Sequence, residues 1–126
     1  MSNREVARAF WERRPASARN LYTDGTIIYS YGPHWPLAAW HRGRVLLCHV
    51  SRSVSTNRHA ALVRAAFIGA GPIEVLHVLD LRGNVAELQA RIAAERLRIV
   101  RATKHYAEYH LEILERQLAE YLELTR

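Results

Sequence analysis

The chain holds one cysteine, Cys48, in 126 residues. That excludes an internal disulfide framework and a zinc site built from several thiolates. It has no apolar run of the roughly 20 residues that a membrane-spanning helix needs. No charged-then-apolar leader opens it, so a cytoplasmic protein with no membrane partner is expected. HExxH, GxSxG and P-loop strings are missing, which removes three common catalytic signatures. Carboxylates are scarce in the front half, where residues 1–64 hold only Glu5, Glu12 and Asp24. Lysine is nearly absent, Lys104 standing against 17 arginines. Residues 84–125 contain neither glycine nor proline. What remains is 49% apolar and 24% charged, the balance of a folded domain rather than a disordered chain.

The net charge of +6 is uneven. Residues 1–64 carry ten basic and three acidic side chains; residues 65–126 carry eight and nine. Arginine offers a planar fork of donors that grips phosphate or carboxylate with two bonds. A basic front half therefore points to an anionic partner. The plainer reading is compositional, because arginine-rich small proteins are common.

Residues 2–14 have the spacing of a short amphipathic helix, with Val6, Phe10 and Trp11 on one side and Pro15 closing it. Residues 15–18 read as a linker. Strands follow. Asp24-Gly25 is a hairpin signal, residues 26–31 are β-branched and aromatic, residues 37–40 form a short strand, and 45–50 form the next. A helix capped by Ser55 or Thr56 should run to about residue 68, where the Gly69 to Pro72 stretch ends it. Residues 73–79 read as a last strand. The expected class is α+β: a small antiparallel meander at 20–80, an N-terminal helix at 1–14, a middle helix and a long C-terminal helix at 84–125.

If continuous, that last helix is about 60 Å long, far beyond the ~14 Å radius of gyration expected for a chain this size. A bend near Thr103 would fold it into two antiparallel helices, but no turn residue marks one, so the straight helix is preferred. Leu97, Val100, Lys104, Ala107, Leu111, Leu114, Leu118 and Tyr121 alternate at spacings of three and four, a coiled-coil seam. Residues 84–104 are +3 and residues 105–126 are −3. This polarity opposes the helix dipole and suits two helices lying antiparallel. An antiparallel, coiled-coil-like homodimer is expected, with the apolar members of that seam at its interface.

Two strings carry the chemistry. Ser30-Tyr31-Gly32-Pro33-His34-Trp35-Pro36 puts a histidine and a tryptophan in a proline-stiffened loop, where Trp35 either stacks on a base or folds back as a core lid. Ser53-Val54-Ser55-Thr56-Asn57-Arg58-His59 puts hydroxyls, a guanidinium and an imidazole at a helix start, where amide N–H groups favour an anion. The plainer reading of the second string is a helix cap with a surface arginine and histidine.

Over residues 20–68 the chain resembles a family of small uncharacterised phage-encoded proteins, chiefly from phages of actinobacteria. The similar features are Ser30-Tyr31-Gly32, His34, Pro36 and Ala38, then Ser53, Thr56, Arg58 and His59. Arg52 stands where that pattern carries tyrosine. The resemblance implies a phage accessory protein acting in a bacterial cytoplasm and brings no activity with it.

The expected function is non-enzymatic binding of an acidic or phosphate-bearing partner. Nucleic acid comes first, then a host protein that it inhibits. His34, Trp35, Arg42, Arg44, Arg52, Arg58 and His59 are the candidate binding residues, with no catalytic residue, cofactor or metal expected. The alternatives are a small-nucleotide-sequestering anti-defence protein and a phosphodiesterase or nuclease using His34 and His59 as acid and base.

Overall fold

The structure, a computed structural model, describes residues 1–31, 35–50, 53–101 and 105–126, without the side chains of 99–101 and 105–108. It divides into two compact units, Met1–Leu79 and Asp80–Arg126.

The first unit is a six-stranded sheet with two helices. Helix α1 (Asn3–Trp11) opens with a capping box: Ser2 Oγ accepts from the Glu5 amide, and the Glu5 carboxylate accepts from the Ser2 amide. It ends in a Schellman turn, with the Arg14 amide donating to Ala9 O and the Arg13 amide to Phe10 O. Arg13 takes the left-handed position, φ 58°, where glycine is the usual residue.

Strands β1 (Ala16–Ser17), β2 (Leu21–Thr23), β3 (Ile27–Ser30), β4 (Pro36–His41) and β5 (Arg44–Cys48) form an antiparallel meander in chain order. The expected linker at 15–18 thus holds an edge strand. Helix α2 (Val54–Ala65) then crosses over, and β6 (Ile73–Val75) joins β5 in parallel. The wholly antiparallel meander is corrected at this point. A helix of 12 residues between two strands supplies the return path that parallel pairing requires.

Both helices pack on one sheet face. Val6, Ala7, Phe10 and Trp11 meet Leu21, Ile28, Leu37, Val45 and Leu47 from the sheet and Val63 from α2. The indoles are tied by their N–H groups as well as by packing. Trp11 Nε1 donates to Val63 O at 2.7 Å, and Trp40 Nε1 donates to Phe10 O at 2.9 Å.

The second unit consists of α3 (Leu81–Arg101) and α4 (His105–Leu124). The single straight helix over 84–125 is corrected: these two helices lie side by side. Arg96 Nη2 and Glu115 Oε1 are 2.9 Å apart. Nineteen residues of straight helix would separate them by about 28 Å. The charge asymmetry read as an intermolecular match is met here within one chain, the basic helix lying against the acidic one. Leu88, Ile92, Leu114 and Tyr121 are buried, and Gln117 donates to the Tyr121 hydroxyl. Of the seam residues, Leu114 and Tyr121 are thus buried within the chain, Leu111 and Leu118 are half-buried, and Leu97 is 65% exposed. The side chains of Val100 and Ala107 lie outside the described residues, as does Lys104. No helix among the described residues is long and apolar enough to cross a membrane.

Candidate functional site

The two strings that the sequence singled out meet in space. Ser30, the last residue of β3, points under α2, where Thr56 and His59 lie one turn apart on the buried side. Ser30 Oγ is 2.7 Å from His59 Nδ1 and 3.3 Å from Thr56 Oγ1. The other ring nitrogen, Nε2, is 3.3 Å from the side-chain amide of Asn3 on α1. With Asn3 donating to Nε2, the imidazole proton sits on Nδ1 and goes to Ser30, whose own hydroxyl proton goes to Thr56. Ser53 completes the cluster. Its Oγ caps α2 by accepting from the Thr56 amide at 3.2 Å and donates to Thr56 Oγ1 at 3.1 Å. The Tyr31 ring, held by a left-handed backbone at φ 63°, lies 5.4 Å from the imidazole.

This cluster joins three elements, α1, β3 and α2, through one histidine. Burial pushes the His59 pKa below its usual value, so the ring is neutral at pH 7. A serine against an imidazole is also the pairing of a nucleophile with its base. Here the serine is wholly buried, at 0% exposure, and offers no surface to a substrate. The arrangement acts as a polar lock. His59, expected to reach an anion, spends both ring nitrogens inside the protein. The cap also falls on Ser53 rather than on Ser55 or Thr56.

The other candidate residues divide between opposite ends of the sheet. Trp35, 42% exposed, stands at the start of β4 and borders a shallow depression with Cys48, Val50, Asn57 and Ala60. Arg58, on the first turns of α2, is exposed. Cys48 is half-buried and its thiol donates to Leu76 O at 3.4 Å. His34 and Arg52 lie outside the described residues.

Arg42 and Arg44 sit at the far end, on the β4–β5 turn. Four strand steps of ~3.3 Å along β5 put about 13 Å between the two ends. Arg42 and Gly43 both have positive φ, 49° and 79°, the two-residue turn that favours Asn-Gly. Arg44 Nη2 donates to Gly71 O at 2.9 Å.

This end gathers two arginines that sequence reasoning had left in the tail of the first helix. The Arg13 guanidinium lies 4.1 Å over the Trp40 ring, and the Trp40 amide donates to Thr26 O in the β2–β3 turn. Gly25 of that turn is pressed against the Arg13 carbonyl, where a Cβ would stand 2.8 Å from the oxygen. Arg14 pairs with Glu12 at 2.8 Å. Arg13 and Arg14 at the end of α1 thus lie at the same end of the sheet as Arg42 and Arg44 on the β4–β5 turn. The Arg-Arg pair just before Pro15 was the available signal, and a helix-stop position hid it.

Among the described residues no three His, Cys, Asp or Glu side chains cluster as metal ligands. No family model, curated protein or solved structure matches the chain.

Proposed function

We propose that residues 1–79 form a non-enzymatic binding module for a phosphate-bearing polyanion, with nucleic acid as the first partner. The observation that carries this reading is the placement of Arg13, Arg14, Arg42 and Arg44 at one end of the sheet. The charge supports it. Residues 1–79 hold ten basic and four acidic side chains, while residues 80–126 hold eight of each, so the first unit carries the entire +6. Two of the four arginines occupy left-handed backbone positions at a cost of about 1 kcal/mol each relative to glycine. Arg42 is exposed on its tight turn, and a guanidinium there grips phosphate oxygens bidentately. The burial of His59 speaks against a nuclease that would use it as acid or base.

The reading extends to two further points. The chain acts as a phage accessory protein in a bacterial host, on the strength of the resemblance over residues 20–68. It also works as a homodimer through α3 and α4, which leave Leu97, Tyr109, Ile113 and Leu122 between 42% and 65% exposed.

Anisotropy titrations of a labelled duplex and a labelled single strand, across a salt series, test the central claim. Each phosphate contact adds about 0.9 to the slope of log K against log salt on duplex, so four contacts give a slope near −3.6. Arg14→Glu with Arg42→Glu should abolish binding at about 150 mM salt. A salt-independent affinity, or a double variant that binds as well as wild type, overturns the reading.

A further inference from the structure

A second surface, apart from the arginine end, lies between the two helices of the first unit. Ser2, Arg4, Glu5 and Arg8 of the α1 side face Leu62, Ala65, Ala66 and Ile68 of the α2 side across an open groove of about 530 Å³. Its floor is apolar and shallow because α2 contributes alanines there. Phe67 and Ile68, just beyond the C-terminal end of α2, are each 51% exposed and extend the apolar strip. One rim is cationic. Arg4 and Arg8 are one helical turn apart, about 6 Å along the axis. Glu5 stays ionised, because the Ser2 amide holds its pKa below the usual value, so it offsets one arginine and leaves this rim with a net charge of +1 from two outnumbering guanidinium groups. Arg8 meets Glu12 only at 3.7 Å, with its own side chain 76% exposed.

We infer that this groove docks an amphipathic helix with acidic flanks, presented by a partner protein. The dimensions fit such a segment. Anchors at i, i+4 and i+7 of a partner helix span about 10 Å, and residues 62–68 of the α2 side cover a similar length. Carboxylates at i and i+4 on the partner recur with the same one-turn spacing as Arg4 and Arg8. Small residues on the floor let the partner backbone approach closely, which suits a helix ridge better than a buried acyl chain.

The test uses the full chain and two synthetic amphipathic peptides of about 20 residues. Both carry leucines at i, i+3, i+4 and i+7, one with flanking glutamates and one with flanking lysines. The glutamate peptide should bind at least tenfold more tightly, and Arg4→Glu with Arg8→Glu should reverse the preference. Ala65→Trp, which fills the groove from an exposed position, should remove binding while the melting temperature holds. Arg42→Glu should leave peptide binding intact, which separates this surface from the nucleic-acid reading. Equal affinity for both peptides overturns the inference, as does a folded Ala65→Trp variant that still binds. Binding of sodium oleate without binding of the glutamate peptide overturns it in favour of a small amphiphile.

Discussion

Acid should loosen the first unit through His59, and the sign follows from its surroundings. The ring is buried, contacts no carboxylate among the described residues, and has its pKa lowered by desolvation. The unfolded chain, with an ordinary histidine pKa near 6.5, therefore takes up a proton that the folded state resists. Stability is full above about pH 6.5 and falls as pH drops from there toward the lower folded value. One such proton sets a limiting slope of about 1.4 kcal/mol per pH unit. All three tryptophans, Trp11, Trp35 and Trp40, lie in the first unit, so their fluorescence in urea reports its unfolding alone. The comparison is wild type against His59→Gln between about pH 7.5 and 5. The other six histidines titrate in both proteins, so the difference isolates His59. The variant should start less stable at pH 7.5 and lose less on acidification. Parallel pH curves for the two proteins would refute the reasoning.

Ser30→Ala should cost about 2–3 kcal/mol by urea denaturation, since it removes partners from both His59 Nδ1 and Thr56 Oγ1 in a buried setting; a loss below about 0.5 kcal/mol would deny the lock. Arg42→Asn should raise stability by up to about 1 kcal/mol, because asparagine suits the left-handed turn position, while weakening nucleic-acid binding. A variant that is both less stable and fully binding would contradict both halves of that argument. Spin labels at positions 89 and 120, in a Cys48→Ser background, should give a distance under about 25 Å by pulsed electron resonance, against about 46 Å for one straight helix. Arg96→Ala should change stability by less than about 1 kcal/mol, as expected of an exposed ion pair, and a larger loss by thermal melting would show that the pair matters more than its exposure allows.

The elements of the first unit were legible because their signals are local. Pro15, Asp24-Gly25, Gly43 and the Gly69 to Pro72 stretch mark breaks, and the β-branched runs between them are strands. Parallel pairing of β6 was not legible, since it depends on where α2 delivers the chain rather than on any residue in Ile73–Val75. The break between α3 and α4 was hidden for a different reason. Two helices can separate without glycine or proline when each buries more against the other than a straight helix can bury alone. The charge polarity suits an antiparallel match between helices, but a sequence does not say whether the matching helix belongs to the same chain. In the candidate site, Ser30, Thr56 and His59 lay in the strings that drew attention. The burial of His59 was not legible, because periodicity does not tell a buried imidazole from an exposed one. Asn3, 56 residues away from His59, gave no signal at all.

The sheet ends in two very short strands, β1 with two residues and β6 with three. An edge strand exposes a row of unpaired backbone groups, and long edges recruit other strands, in amyloid as in legitimate partner capture. These edges are too brief to template either. The first unit is thereby guarded against edge-to-edge aggregation, and peptide capture by strand addition is closed to it. Whatever it recognises must be held by side chains standing on its turns and helices.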